Sequence, residues 1–307
     1  MTPEQISQPK NDDGRSPTGA ANRGDQISCR RPNFLYIGPD KAGSTWLFRA
    51  MSWHPQIYMA PAKDLYFFDR YFQNGIDWYF KHFRAATDEL VVGEISHDYL
   101  YSVEAASRIA EVLPDVRLMV CLREPVDRAF SAYLYLIKHG MFTGSFEDAL
   151  VTWEHTLVQH SLYAKHLAAY VDRFPRSAIY VSMFDSLRSD SNKFVQEVFA
   201  FLGVTPMELP EELRERTLSA ARSRSVVLAT LLKKAAFVAR HIGLANLVGR
   251  LKMSKGLQRM FYGEYSDEER PRPHADTVKR LRERFADDVH RCDKMLGTNC
   301  AATWGYN

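Results

Sequence analysis

Four short, mostly apolar runs stand out along the chain. They cover residues 34–37, 90–94, 116–122 and 178–182. Runs of this length without polar alternation are typical of strands that are buried on both faces of a parallel sheet. The pattern therefore predicts four strands, spread over the first 182 residues.

Segments with apolar residues at helical spacing separate and follow these runs. They cover residues 46–51, 103–113, 125–139, 162–174 and 192–202, and the chain looks helical again from about residue 211. Pro125 suits the first turn of a helix, whereas Gly140 and Gly203 suit helix ends. Alternating strands and helices predict an α/β fold: a P-loop-like, three-layer domain with a central, mostly parallel sheet flanked by helices, plus a helical C-terminal region.

Two segments differ in composition from this domain. Residues 1–31 are rich in small and polar residues, which predicts a disordered tail before a domain of residues 32–307. Residues 216–263 contain ten Lys or Arg and no Asp or Glu. Within the predicted helical region 211–265, this pattern favours either a solvated basic face or a surface for an anionic acceptor or membrane.

Whole-chain composition narrows the class of protein. With 307 residues, of which 46% are hydrophobic, the chain can bury a sizeable core, and its net charge of +3 gives no reason to expect a nucleic-acid partner. Four cysteines lack metal-ligand spacing, so no metal is expected: Cys29, Cys121, Cys292 and Cys300. Free thiols are favoured, with Cys121 in the core, and a Cys292–Cys300 disulfide stays open. The sequence shows no membrane span or signal peptide, which favours a cytoplasmic protein.

The first predicted strand runs into a turn that carries distinctive chemistry. Residues 38–46 read Gly-Pro-Asp-Lys-Ala-Gly-Ser-Thr-Trp. Backbone N–H groups, the hydroxyls of Ser44 and Thr45 and the ammonium of Lys41 would surround one point, which suits a phosphate-like anion. A nucleotide-triphosphate P-loop has its lysine directly after the last glycine, whereas Lys41 precedes Gly43. The turn therefore predicts an anion site that differs from the usual ATP or GTP site.

Two other predicted strands also deliver polar residues at their carboxyl ends, where open parallel sheets bind ligands. One strand ends at Glu94, which is followed by Ser96 and His97. The next is followed by Arg123, and Ser131 lies eight residues later on a predicted helix. A guanidinium and a hydroxyl can clamp a phosphate together. Two anion sites on adjacent strand ends predict a nucleoside ligand with phosphates at both ends.

Together these motifs resemble the sulfotransferases that use 3′-phosphoadenosine 5′-phosphosulfate (PAPS). Residues 37–46 look like the family's 5′-phosphosulfate loop, and residues 122–133 look like its 3′-phosphate motif. Three further segments resemble the heparan sulfate N- and 3-O-sulfotransferase branch more than the cytosolic phenol and steroid enzymes: residues 63–69, 75–79 and 93–96. The resemblance spans about residues 32–304 and implies a bacterial member of that branch.

The resemblance implies a role for each residue of the two anion sites. Lys41 would neutralise the oxygen that departs from sulfur, while Arg123 and Ser131 would hold the 3′-phosphate. Trp46 would lie near the adenine. The 5′-phosphate would be bound by backbone N–H groups and hydroxyls of Ala42, Gly43, Ser44, Thr45 and Trp46. Such a transfer depends mainly on position and charge, because the protein has little covalent work to do.

The acceptor hydroxyl or amine also needs a general base. In the heparan sulfate branch this base is a glutamate just before two phenylalanines, and the matching residue here is Asp64. Glu94 and His97 are alternative bases, and the sequence leaves the choice open.

The chain departs from the branch in two places. Residues 94–96 read Glu-Ile-Ser where the branch often has Glu-Lys-Ser or Glu-Lys-Thr, so a basic contact is missing. The late loop that closes over the donor is basic in the branch, whereas residues 262–272 are acidic here. Arg270 or Arg272 would supply the donor contact, and Arg222 and Arg224 are the alternatives.

Three functional hypotheses follow. The preferred one is a metal-independent sulfotransferase that modifies a hydroxyl, less favourably an amine, of a carbohydrate, glycolipid or small metabolite. The others are a P-loop nucleotide kinase or NTPase, and a non-catalytic basic protein that binds membranes or polyanions through residues 216–263. The kinase hypothesis requires a lysine after the loop glycine, and the non-catalytic one leaves Lys41 and Arg123 without a role. The sequence does not fix the oligomeric state.

Overall fold

A five-stranded parallel sheet forms the centre of the fold. The computed structural model describes residues 30–214, 221–223, 262–264 and 271–306. Its strands are β1 Phe34–Gly38, β2 Ile57–Met59, β3 Val91–Ile95, β4 Arg117–Leu122 and β5 Ile179–Met183. They lie in the order β2-β3-β1-β4-β5, and every neighbouring pair is parallel. The predicted α/β fold with a central parallel sheet is confirmed, although β2 has no counterpart among the predicted strands.

Helices cover both faces of this sheet. The α-helices are α1 Ser44–Trp53, α2 Ile76–Phe80, α3 Val103–Val112, α4 Pro125–Lys138, α5 Phe146–Thr152, α6 Glu154–Leu157, α7 Tyr163–Val171, α8 Phe184–Ser189, α9 Ser191–Leu202, α10 Glu211–Arg214, α11 Ala275–Leu296 and α12 Cys300–Trp304. A π-helical turn covers Phe67–Tyr71, and short 3₁₀ turns cover Phe72–Asn74, Lys81–Phe83, Tyr99–Tyr101, Gln159–Ser161 and Arg176–Ala178.

Side chains of β1 alternate between two hydrophobic cores. Leu35 and Ile37 belong to the core beneath α3, α4, α7 and α11. Phe34 and Tyr36 belong to the opposite core, beneath α1, α9 and α10. Because successive strand residues point to opposite faces, a strand between two helical layers must be apolar at every position. This is why residues 34–37 form a continuous apolar run.

The C-terminal helices tie back onto the sheet domain. The Asp288 carboxylate of α11 accepts hydrogen bonds from the backbone N–H groups of Ala164 and Lys165, at 2.9 and 3.2 Å. These first-turn groups of α7 have no partner within their own helix. Arg282 of α11 donates to the carbonyl oxygens of Trp304 and Gly305, each at 2.6 Å. The predicted helical C-terminal region is therefore present in the described residues 271–306.

The cysteines in the described residues are buried free thiols. Cys121 lies in β4, as its apolar surroundings predict, and Cys292 and Cys300 lie in α11 and α12. The disulfide left open for the last two does not form in this structure.

A second, two-stranded sheet occupies part of the region that the sequence predicts as helical. Strand β6 Ala221–Ser223 pairs antiparallel with β7 Tyr262–Glu264. The helical prediction is wrong for β6, because pairing with a segment far along the chain overrides the local preference. Residues 1–29 of the predicted tail, and most of the basic segment 216–263, lie outside the described residues, so the domain limits stay a prediction.

Candidate active site

Three loops of the sheet meet at one edge. Strand β1 lies between β3 and β4, and the three run parallel, so their carboxyl ends are neighbours. Residues 39–43 follow β1, residues 96–98 follow β3 and residues 123–124 follow β4. The structure thereby brings together the polar residues that the sequence placed at strand ends.

The loop after β1 wraps around the start of α1. Lys41 and Gly43 both have left-handed backbone conformations, with φ of 64° and 85°. A Cβ on Gly43 would lie 2.5 Å from Leu187 Cδ2, so packing as well as φ requires glycine here. Helix α1 begins at Ser44, so the N–H groups of Ser44 and Thr45 belong to its first turn and have no intrahelical acceptor. These free N–H groups are what an anion needs at a helix start, so the anion site stays a prediction that the backbone geometry permits.

The Lys41 ammonium lies against an aromatic ring beside this loop. Its Nζ is 4.3 Å from the centroid of the Tyr135 ring on α4, and that tyrosine is 40% exposed. Burial lowers the pKa of Lys41 to about 8, with the positive charge of Arg128 adding to the shift and Asp40 opposing it. An anion that enters the loop would raise this pKa again and stabilise the ammonium further, because an opposite charge raises the pKa of an amine.

Arg123 links the two predicted anion sites directly. Its Nη1 donates to the backbone oxygen of Lys41 at 3.0 Å, and its guanidinium lies 4.7 Å from the centroid of the Phe184 ring. Within the described residues its Nε is buried and meets no acceptor. A buried donor without a partner costs free energy unless a ligand supplies the acceptor, so the site fits an anion. Ser131 lies half-buried two turns into α4.

Asp64 and His97 form a hydrogen-bonded pair between the loop after β2 and the loop after β3. The His97 Nδ1 lies 2.7 Å from the Asp64 carboxylate, and the Lys63 ammonium lies 3.0 Å from the same oxygen. Burial alone would raise the pKa of Asp64, but the charges of His97 and Lys63 outweigh it and hold that pKa well below its usual range. Both members of the pair are about one-fifth exposed, so a bound acceptor could reach them.

His97 also contacts a second carboxylate that the sequence did not single out. Its Nε2 lies 3.3 Å from Asp98, which pairs in turn with Arg70. Burial opposes the shift, but the carboxylates of Asp64 and Asp98 together raise the pKa of His97 above its ordinary value. The imidazole is therefore stabilised in its protonated form between two negative charges.

Glu94 lies beneath these loops and has no exposed surface. It accepts hydrogen bonds from the hydroxyls of Tyr79 and Tyr99, each at 2.9 Å, and from Ser96 at 2.7 Å. Tyr99 and Ser96 in turn accept from the backbone N–H groups of Phe67, at 2.9 Å, and Tyr66, at 3.2 Å. Glu94 thus supports the loop that follows Asp64. Burial raises the pKa of Glu94 to about 7.

Trp46 and the arginines before α11 are the remaining predicted donor contacts. The Trp46 indole is 6% exposed, packs edge-on against Phe194 and donates to the Leu213 carbonyl at 2.7 Å. Its ring thus packs into the protein, and its backbone N–H in the first turn of α1 remains available to an anion. Arg272 is exposed in the segment before α11, and Arg270 lies outside the described residues.

A buried ion pair lies behind the loop, and sequence reasoning missed it. Arg128 of α4 is fully buried and pairs with Asp40, the residue before Lys41. A signal was available, because Arg128 falls among the apolar positions of its helix, beside Ala129 and Ala132. A charge at such a position needs a buried partner, but the sequence does not say which.

Comparison with known proteins identifies the family. The sequence model of the sulfotransferase domain family matches residues 31–259. The chain belongs to this family. A sulfotransferase from Alicyclobacillus acidocaldarius has a similar structure, with 25% identity and a TM-score of 0.65 over 90% of this chain and 99% of that chain.

Curated relatives of the sulfotransferase domain are larger proteins. The membrane-associated sulfotransferase kil1 of Dictyostelium discoideum is 36% identical over 110 residues, which are 35% of this chain and 23% of kil1. The human bifunctional heparan sulfate N-deacetylase/N-sulfotransferase 3 is 31% identical over 200 residues, which are 58% of this chain and 23% of that enzyme. The chain therefore spans about a quarter of the length of these relatives. The resemblance to the heparan sulfate branch is confirmed.

In the residues that the structure describes, no helix is both long enough and apolar enough to cross a membrane. Those residues also contain no group of three His, Cys, Asp or Glu side chains arranged to hold a metal ion.

The buried carboxyl of Glu94 should make stability depend on pH. Its pKa is about 7 in the folded protein, against 4.5 for an ordinary glutamate, so the folded state holds a proton that the unfolded state releases. Stability is therefore expected to fall as pH rises from about 4.5 to 7, with a limiting slope of about 1.4 kcal/mol per pH unit for one proton. Urea unfolding of the parent and of Glu94→Gln across this range should show that the variant loses this component.

Glu111→Gln, on an exposed face of α3, controls for the removal of one carboxylate. Parallel stability curves for the parent and Glu94→Gln would show that Glu94 takes up no proton on folding.

Proposed function

We propose that this protein transfers a sulfuryl group from PAPS to a hydroxyl, less favourably an amine, of a carbohydrate, glycolipid or small-metabolite acceptor. The observation that carries the proposal is the bond from Arg123 Nη1 to the Lys41 oxygen, at 3.0 Å. It joins two cationic sites at adjacent strand ends, and the Nε of the same arginine still lacks an acceptor among the described residues. A nucleoside with phosphates on both sides of its ribose suits this arrangement.

The chemistry follows from the residues around the loop. The acceptor oxygen forms a bond to sulfur while the bond from sulfur to the 5′-phosphate oxygen breaks. Lys41 and the first-turn N–H groups of Ser44 and Thr45 stabilise the charge that develops on this departing oxygen. Arg123 and Ser131 hold the 3′-phosphate, and the acceptor proton passes to the Asp64–His97 pair.

Burial favours this pair over Glu94 as the base. Glu94 has no exposed surface, and three hydroxyls already donate to its carboxylate. A general base must come within hydrogen-bond reach of the acceptor, which Asp64 and His97 can do at the loop surface. The same burial argues against a kinase or NTPase, because Glu94 presents no exposed oxygen to a magnesium ion.

The acceptor class rests on the relatives. One of them is a heparan sulfate N-deacetylase/N-sulfotransferase, and this supports a glycan acceptor here. Peripheral membrane contact through residues 216–263 and a cytoplasmic location stay predictions, and a membrane-associated relative is compatible with the first.

Donor binding provides the first test. We expect 3′-phosphoadenosine 5′-phosphate to raise the melting temperature strongly, because a ligand at about 100 times its dissociation constant adds about 2.7 kcal/mol of stability. Arg123→Ala should lose most of this stabilisation. Arg117→Ala is the matched control, because Arg117 is a half-buried arginine at the other end of β4 that donates to the Leu202 and Phe201 carbonyls. Stabilisation by Mg-ATP but not by the bisphosphate would refute the assigned donor.

Removal of the Lys41 ammonium tests the chemical step. Lys41→Ala should lower the single-turnover rate with saturating PAPS by about 100-fold or more, because one preorganised charge at the departing oxygen is worth that much. Bisphosphate affinity should change far less. Lys81→Ala serves as the control, since the Lys81 ammonium also stacks on a ring, 5.4 Å from the Trp78 centroid. Near-normal transfer by Lys41→Ala would remove the proposed role.

The proton acceptor can be assigned from pH profiles. The charges of His97 and Lys63 hold the pKa of Asp64 well below its usual range, so Asp64 stays ionised at neutral pH. A rate that depends on Asp64 should therefore be flat between about pH 5 and 8. Asp64→Asn should then lower the single-turnover rate by about 100-fold or more. Asp98→Asn, which changes the other side of His97, is the control. A rate that rises with pH, with equal losses in both variants, would instead make His97 the base.

A further inference from the structure

The buried Arg128 is bonded only inward, toward the protein. Its Nη1 donates to the Thr156 carbonyl at 2.6 Å and lies 3.3 Å from the Ser161 hydroxyl. Its Nε and Nη2 both point to one carboxylate oxygen of Asp40, with the Nε contact at 3.2 Å. The side chain has no exposed surface. Arg128 therefore has no free edge to present to a ligand.

Asp40 receives a further donor from the loop after β3. The Tyr101 hydroxyl donates to the same Oδ1 atom at 2.8 Å. Burial alone would raise the pKa of Asp40, but the charge of Arg128 holds that pKa well below its usual range. One carboxylate, directly before Lys41, is thus bonded to α4 and to the turn that follows β3.

The two partners lie next to the two sites of the proposed donor. Asp40 adjoins Lys41 in the 5′ loop, and Arg128 lies three residues before Ser131 on α4, one turn away. Arg123 lies between β4 and α4, and its bond to the Lys41 oxygen is a second link from the same loop to the segment that leads into α4. Together they fix the distance between the loop and the helix.

We infer that the Asp40–Arg128 ion pair is a positioning device that sets the spacing between the 5′- and 3′-phosphate sites. The inference rests on the proposed function. A ligand with two anchors binds tightly only when both sites are held at matching distance, because the second contact is then intramolecular. If the distance between the two sites varies, this advantage is lost, but each site still binds its own phosphate.

Calorimetric titration with three ligands separates spacing from single-site affinity. The ligands are 3′-phosphoadenosine 5′-phosphate, adenosine 5′-monophosphate and adenosine 3′-monophosphate. We expect the parent to bind the bisphosphate about 100-fold more tightly than either monophosphate. Asp40→Asn should reduce this preference by about tenfold or more, while both monophosphate affinities change less than about threefold. Arg128→Lys, which keeps the charge but loses the two-donor geometry, should act in the same direction.

Asp288→Asn is the matched control. Asp288 is also a buried carboxylate that pairs with an arginine, Arg291 at 3.0 Å, and accepts backbone N–H bonds, but it lies on α11. The Asp288→Asn variant should have a lower melting temperature and an unchanged preference for the bisphosphate.

Different outcomes would contradict the role of the Asp40–Arg128 pair and the assignment of PAPS as the donor. Equal weakening of all three ligands by Asp40→Asn, or a preference that survives in both variants, would overturn the inference alone. A parent protein that binds the bisphosphate no more tightly than the 5′-monophosphate would overturn the donor assignment and this inference together.

Discussion

The parallel pairing of β1 with both β3 and β4 is the constraint on which the rest of the structure depends. It places the carboxyl ends of three strands at one edge, and through them residues that are distant in sequence. The same pairing buries β1 on both faces, between two separate cores. The site can therefore be built from loops while its position is fixed by backbone hydrogen bonds deep in the sheet.

Charges around this edge divide into two kinds. Arg128 and Glu94 are fully buried and fully bonded, the first to a carboxylate and carbonyls, the second to three hydroxyls. Lys41 and Arg123 are partly exposed; one rests on an aromatic ring, and the other keeps a buried Nε without an acceptor in the described chain. Burying an unpaired charge is costly, so the cations that remain incompletely paired are those with a ligand to meet.

Sequence patterns predicted the parts of this molecule that are set locally. The four longer strands coincide with mostly apolar runs, and the turn at Lys41 carries its chemistry in consecutive residues. The three-residue β2 is too short to show a period and exists through its pairing with β3. The pairing of Asp40 with Arg128, and the burial of Glu94 and the Trp46 indole, depend on contacts between distant segments, which no local pattern specifies.

The strained backbone of the described chain lies in the two loops of the site. Its non-glycine residues with left-handed conformations are Lys41, Asp64 and Tyr66. Each such residue costs about 1 to 3 kcal/mol and persists only where the surroundings determine it. The Asp40–Arg128 pair holds the loop of Lys41 in its conformation. Glu94 holds the loop of Asp64, because the hydroxyls bonded to Glu94 accept from the backbone of that loop. Each side of the proposed reaction, donor and acceptor, thus has its own buried ionisable anchor. The turn Tyr99–Tyr101 connects the two anchors, because Tyr99 donates to Glu94 and Tyr101 donates to Asp40.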